Sequence, residues 1–109
     1  MMRAQSITFQ SPREVLALIR ECLEASDPDR LYGAVEEQPS EFWRQPIFDD
    51  LTAIEEHNSL ETVFLTEQVF PIEGNEFKLG GCSGPTRHLH IDLVRDQVAW
   101  RLKKIWKCR

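Results

Sequence analysis

The sequence predicts an α+β fold, with N-terminal helices packed on an antiparallel sheet of about four strands. The chain begins with a segment whose apolar residues recur at helical spacing, and it ends with two strand-like runs, 86–95 and 98–109. Only the polar pair Asp96-Gln97 separates these runs, which is typical of a β-hairpin. Helices followed by strands indicate an α+β domain, and the chain length of 109 residues corresponds to a single domain, 1–109.

Composition and charge exclude several classes of protein. The chain is 41% hydrophobic and 28% charged, as in an ordinary soluble globule. Residues 1–60 carry 12 acids and 5 bases (net −7) and residues 61–109 carry 6 acids and 8 bases (net +2), which together give −5. The acidic helical half disfavours nucleic-acid binding, and no apolar run has the length of a membrane span. We therefore expect neither a nucleic-acid nor a membrane partner.

The cysteines and the first residues indicate a compartment. Cys22, Cys82 and Cys108 include no Cys-x-x-Cys pair, so reduced thiols in a cytoplasmic protein are the simplest interpretation. Residues 1–10 lack the apolar core of a secretory signal. We therefore expect a cytoplasmic location.

The first helix has a clear start signal. Ser11 is a capping residue, Pro12 suits the first helical position, and Glu14 completes a capping box. A single apolar stripe of about four turns follows. Its members are Val15, Leu18, Ile19, Cys22 and Leu23.

Two further helices are predicted before residue 60. Asp27-Pro28 repeats the start signal, and Leu31, Tyr32 and Val35 would face inward from a short helix. Pro39-Ser40 interrupts the chain. A proline in a helix interior is unfavourable, so we expect a short turn through Trp43 and a helix from Pro46 to about His57.

From Leu60 onward the sequence pattern changes to one that is typical of β-strands. Leu60–Phe70 is rich in β-branched and aromatic residues and predicts a strand. Glu73-Gly74-Asn75 predicts a turn, Glu76–Leu79 a short returning strand, and Gly80–Pro85 a loop.

Alternation assigns the faces of the C-terminal hairpin. In the first strand Leu89, Ile91 and Leu93 share the face that must pack on a helix, and His88, His90 and Asp92 share the other. In the second strand regular alternation puts Trp100, Leu102, Lys104 and Trp106 on one face and Ile105 on the other. A bulge near Lys103-Lys104 would instead put Leu102 and Ile105 together.

The hairpin resembles a known family. Leu89-His-Ile-Asp-Leu-Val-Arg-Asp96 followed by Trp100-Arg-Leu-Lys-Lys-Ile-Trp-Lys-Cys108 is similar to the C-terminal hairpin of the NTF2-like (cystatin-like, SnoaL-like) superfamily. The resemblance implies a strongly curved sheet around a long helix, a conical pocket, and a homodimer formed through the sheet. The family contains both enzymes and non-catalytic binding modules, and none of its catalytic patterns matches positions in this chain.

One local pattern could hold a metal. His88, His90 and Asp92 alternate along a strand, so both imidazoles and the carboxylate could converge on one ion, with Cys82 from the preceding loop as a fourth ligand. The same alternation also predicts a polar solvent or dimer face without a metal. We expect no metal and no cofactor.

A second pattern could support acid–base chemistry. Glu67 would share a strand face with Val63, Leu65 and Val69, and a carboxylate in an apolar pocket has a raised pKa. With His90 or His88 it would form an acid–base pair. A ligand would contact candidate pocket residues, which are Tyr32, Phe42, Trp43, Glu67 and Trp100.

Two functional interpretations remain open. The first is a non-catalytic module that binds a small apolar ligand or a protein partner and dimerises through its sheet. The second is a small lyase, isomerase or hydrolase that uses Glu67 with His90 or His88.

Overall fold

The helices precede the strands along the chain, as the sequence predicts. The computed structural model describes residues 7–65, 70–80 and 88–108. Within these ranges the helices are α1 (Pro12–Glu24), α2 (Pro28–Gly33), α3 (Glu41–His57) and α4 (Leu60–Leu65). The strands are β1 (Phe70–Glu73), β2 (Glu76–Gly80), β3 (Leu89–Asp96) and β4 (Ala99–Lys107). They form one antiparallel sheet in the order β1-β2-β3-β4, so the predicted α+β class is confirmed.

Helix α1 starts as predicted, but its buried face is different. The Ser11 hydroxyl accepts a hydrogen bond from the Glu14 N–H at 3.3 Å, and the Glu14 carboxylate accepts one from the Gln10 N–H at 3.1 Å. Leu16 is fully buried, whereas the predicted Leu18 is only partly buried. Helix α1 contacts α2, α3, α4 and β4. The buried part of its circumference is therefore wider than the single stripe that periodicity predicts.

Helix α2 is confirmed. The Asp27 carboxylate accepts a hydrogen bond from the Arg30 N–H at 3.0 Å and so caps the helix. Leu31, Tyr32 and Val35 are buried, as their spacing predicts.

Helix α3 begins earlier than predicted. It starts at Glu41 rather than Pro46, which lies inside it. Proline lacks an N–H, so its presence removes one intrahelical bond near the start of the helix. The helix also buries four apolar side chains, and their packing outweighs that loss. These side chains are Ile47, Phe48, Leu51 and Ile54.

The strand prediction for residues 60–65 is wrong, because α4 occupies them. The Ser59 hydroxyl accepts a hydrogen bond from the Thr62 N–H at 3.0 Å, and the Glu55 carboxylate accepts one from the Leu60 N–H at 3.0 Å. Leu60, Val63 and Phe64 are buried at helical spacing. Burial and capping therefore override the β propensity of this segment. Residues 66–69 lie outside the described ranges.

Both turns form within one residue of their predicted positions, but β1 begins at Phe70, where the predicted strand Leu60–Phe70 ends. Gly74-Asn75 joins β1 to β2, and Gln97-Val98 joins β3 to β4. The ladder pairs Asp92 with Lys104 but Leu93 with Leu102, so Lys103 is the extra residue of a bulge. Leu102 and Ile105 are consequently both buried in the core. Of the two arrangements that the sequence allows, the bulged one is present.

The cysteines differ from the expectation of three reduced thiols. Cys22 is a free thiol in the buried face of α1, and burial raises its pKa. Cys108, directly after β4, is disulfide-bonded, so the expectation is wrong there. Among the described helices, none has the length and apolar character needed to cross a membrane.

Candidate functional site

One edge of the sheet is only partly covered. Strand β4 is an edge strand, and Phe9 pairs with Trp100 through two backbone hydrogen bonds of 2.8 and 2.7 Å. The N–H groups of Glu36–Glu37 donate to the carbonyls of Leu102–Lys103 at 3.1 and 2.8 Å. Two separate segments of the chain therefore cover the first half of this edge.

In the part of the chain that the structure describes, the second half of the edge is open. The Cys108 N–H donates to the His88 carbonyl at 2.9 Å, so this residue directs its backbone groups toward β3. Backbone groups alternate in direction along a strand, and those of Ile105 and Lys107 therefore point away from β3. Within the described ranges no backbone group pairs with them from that side.

A cleft of about 720 Å³ lies beside this open edge. It is bounded by β4 on one side and by the segment that leads into α3 on the other. Its apolar and aromatic walls are Pro39, Trp43, Ile47, Ile105 and Trp106. Its polar lining is Glu37, Gln38, Ser40, His88, Lys104, Lys107 and Cys108.

The walls of the cleft are held by specific contacts. The Lys107 ammonium lies 2.6 Å from the Asp50 carboxylate and joins β4 to α3. The Tyr32 hydroxyl donates to the Arg44 carbonyl at 2.6 Å, which joins α2 to α3. Burial raises the pKa of Tyr32 to about 12. The Gln38 amide donates to the carbonyls of Val35, at 3.0 Å, and of Tyr32.

Behind Trp106, which forms part of the cleft wall, the sheet contains two buried polar side chains, His90 and Asp92. The Trp106 ring stacks on the His90 ring with centroids 4.0 Å apart, and the Trp106 N–H donates to the Asp92 carboxylate at 3.0 Å. Burial lowers the pKa of His90, and the nearby Lys78 charge lowers it further. Burial also raises the pKa of Asp92, although the Trp106 hydrogen bond opposes that rise. The second oxygen of Asp92 accepts no hydrogen bond from the described residues.

The charges around the cleft are unequally paired. Lys103 contacts Glu76 at 2.5 Å and Glu37 at 3.7 Å, and Lys107 is paired with Asp50. Lys104 lies 5.6 Å from the centroid of the Trp106 ring and makes no ion pair with any described carboxylate. The Lys104 charge also lowers the pKa of the buried Asp92, but of the two lysines that line the cleft it is the one without a described ion pair, and it is therefore the one available to an acidic ligand.

The predicted ligand-binding residues occupy different places. Trp43 lines the cleft, whereas Phe42 stands next to it, with its ring centroid 5.1 Å from that of Trp43. Tyr32 is fully buried. Trp100 packs on Phe77 at the other end of β4, with ring centroids 5.1 Å apart. Glu67 lies outside the described residues.

The predicted catalytic and metal-ligating residues are also separated. His88 lines the cleft and has a positive φ of 66°, with a ring nitrogen 3.9 Å from the Cys108 sulfur. His90 and Asp92 lie on the face opposite Leu89, as alternation predicts, but Trp106 covers them and they are buried. The described residues include no group of three or more potential ligands placed to hold a metal ion. Cys82, like Glu67, lies outside the described residues.

Sequence reasoning missed Lys104, Ile105 and Lys107 as site residues. The basic character of the last strand is visible in the sequence, but the pattern of one strand does not show which of its edges is unpaired. Comparisons with protein-family models, with curated proteins and with solved structures found no match. The resemblance to the NTF2-like superfamily therefore stays a prediction.

Proposed function

We propose that this domain is a non-catalytic binding module whose ligand site is the cleft between α3 and the open edge of β4. The observation that carries the proposal is a cleft of about 720 Å³ with tryptophan in two of its walls. Clefts that bind small ligands are typically about 300–1,000 Å³ and mainly apolar, with a few polar groups that orient the ligand. This cleft has that size, and its lining combines five apolar or aromatic residues with seven polar ones.

The lining supports an apolar ligand with an acidic group. Trp43 and Trp106 offer aromatic surface to an apolar moiety. Lys104 offers a positive charge without a described ion-pair partner. A carboxylate near Lys104 would gain a charge-assisted contact in a partly apolar site.

The location of the cleft refines the prediction from the family resemblance. The space between helices and sheet is filled by buried side chains, which include Leu16, Tyr32 and Ile91. We therefore place the ligand at the sheet edge rather than in a central cone. A homodimer through the sheet remains part of the proposal, and sedimentation analysis is the measurement that tests it.

The enzymatic alternative and the cytoplasmic location stay predictions. The enzymatic alternative depends on Glu67, and no described contact favours it. The cytoplasmic location is opposed by the disulfide at Cys108, because disulfides persist mainly in oxidising compartments.

Binding of 2-naphthoate, followed by ¹⁵N NMR of the indole N–H groups, tests the proposed function. We expect saturable shifts at Trp43 and Trp106, and Trp43→Ala should weaken binding about tenfold. Phe42→Ala is the matched control, because Phe42 is 75% exposed, against 37% for Trp43, and does not line the cleft. Lys104→Ala should weaken the binding of 2-naphthoate but leave the affinity for the uncharged 2-methylnaphthalene unchanged.

The same titration shows how the proposal would fail. Equal affinity of wild type and Trp43→Ala, with folding verified by circular dichroism, would exclude the cleft as the site. Absence of saturable shifts up to the solubility limit of both compounds would exclude an apolar ligand site there.

A further inference from the structure

We propose that the occupant of this cleft is an extended peptide segment that joins the sheet as a short strand along Ile105–Lys107 of β4. The segment would carry an apolar side chain flanked by acidic ones. The inference rests on the proposed function, because it names the ligand class of the same cleft.

The backbone of the open edge is the first argument. The N–H and C=O groups of Ile105 and Lys107 point into the cleft without a described backbone partner. Unpaired strand edges are templates for the addition of another strand. The chain already uses this edge in that way, since Phe9 and the segment Glu36–Glu37 pair with its first half. An added peptide would continue the same pattern.

The opposite edge of the sheet lacks this property. Strand β1 is the other edge strand, and it contains Pro71. Proline has no N–H to donate to an added strand and is one of the devices that block sheet edges. The open segment of β4 is therefore the better place for strand addition.

The side chains around the edge match the two faces of a peptide strand. Ile105 is buried in the core and Lys107 reaches Asp50 of α3, so both side chains lie on the helical face of the sheet. Trp106 stacks on His90 on the opposite face. Alternate side chains of an added strand would thus face Trp43 and Ile47 on one side and Trp106 and Lys104 on the other.

Charge selects among the candidate occupants. Strand β4 carries four cations at Arg101, Lys103, Lys104 and Lys107. Of the two that line the cleft, Lys107 is paired with Asp50, and Lys104 makes no ion pair with a described carboxylate. A second copy of β4 would bring another Lys104 without a described ion pair to the shared edge, where like charges repel. An acidic peptide supplies the opposite charge. We therefore assign the cleft to an acidic segment rather than to a second copy of this chain.

Isomeric peptides test strand addition directly. The parent probe is the acetylated, amidated pentapeptide EVFVE, and KVFVK is its charge-reversed control. Two further probes carry N-methyl groups on the second and fourth residues or on the third and fifth. Only alternate N–H groups of an added strand face the neighbouring strand. We expect one N-methylated isomer to bind at least about tenfold more weakly than the other.

Two variants at one position isolate the backbone donor. Lys107→Pro removes the N–H that faces the cleft, at an edge position where proline is tolerated. Lys107→Ala removes the same ammonium group but keeps the N–H, so it is the matched control. We expect Lys107→Pro to bind EVFVE about tenfold more weakly than Lys107→Ala. In the wild-type protein, EVFVE should shift the NMR signal of the Ile105 amide.

The outcomes separate this inference from the proposed function. If the two N-methylated isomers bind as tightly as EVFVE while 2-naphthoate still shifts Trp43, the cleft is a small-ligand site and strand addition is refuted. If EVFVE shifts the β1 amides instead of Ile105, the chosen edge is wrong. If KVFVK binds as well as EVFVE, the acidic partner is refuted. If neither EVFVE nor 2-naphthoate shifts Trp43, both the inference and the proposed function fail. The comparison of N-methylated isomers uses wild-type protein, so it remains decisive even if Lys107→Pro does not fold.

Discussion

Replacement of Gly80 by alanine should strongly destabilise the fold, because this residue ends β2 where the sheet meets α4. Gly80 has a φ of +85°, in the region that favours glycine. A Cβ atom built there would overlap the Leu89 carbonyl oxygen and lie 2.9 Å from the Phe64 ring. The Leu89 oxygen belongs to the backbone of β3, so the clash cannot be relieved by turning a side chain.

Two separate free-energy costs set the size of the destabilisation by Gly80→Ala. A non-glycine residue with positive φ costs about 1–2 kcal/mol, and overpacking a close contact typically costs about 1–3 kcal/mol. We therefore expect Gly80→Ala to lower the free energy of unfolding by about 3 kcal/mol. Gly74→Ala should cost only about 1–2 kcal/mol, because Gly74 has a φ of +57° but nothing within 4 Å of its added Cβ.

Urea denaturation followed by far-UV circular dichroism measures these differences. Gly33→Ala is the second control, because its Cβ also meets nothing within 4 Å and it lies in α2 without a positive φ. We expect it to be neutral or to stabilise by up to about 1 kcal/mol. Equal destabilisation by Gly80→Ala and Gly74→Ala would refute the close approach of β2, β3 and α4 on which the reasoning depends.

Two other predictions concern the core and the buried carboxyl group. Leu16→Ala should lower the free energy of unfolding by about 2–5 kcal/mol, and Leu18→Ala by clearly less, because Leu16 is fully buried and Leu18 only partly. The opposite ranking in urea denaturation would contradict the observed orientation of α1. Burial raises the pKa of Asp92, so the stability that this group contributes is present in acid and is lost as the pH rises through its pKa in the folded state. Asp92→Asn should therefore be more stable than wild type at neutral pH, with the gain disappearing below the ordinary carboxyl pKa of 3.8. A gain that does not change with pH would show that Asp92 titrates normally.

Local chemistry in the sequence was sufficient to predict several elements. The starts of α1 and α2 follow from Ser11 and Asp27, whose side chains cap the adjacent backbone N–H groups. The C-terminal hairpin follows from two alternating runs around a short turn. Each signal lies within a few residues of the structure it specifies, so no distant contact is needed to recognise it.

Other features required the tertiary structure. Segment 60–65 has strand-forming residues but becomes a helix, because burial of Leu60, Val63 and Phe64 favours that conformation. Similarly, α3 extends back through Pro46, since the packing of its later turns outweighs one missing hydrogen bond.

The candidate site illustrates the same division. Trp43 and His88 could be named from the sequence as candidates, but nothing local shows that both line one cleft. Among the described residues, the edge at Ile105 and Lys107 is open because β4 is last in the sheet and two distant segments cover only its first half. Sequence periodicity describes the faces of a strand, whereas its free edge depends on which other segments pair with it. The sequence by itself therefore determined the elements and their buried faces over much of the chain, and only the tertiary structure decided where a ligand site could form.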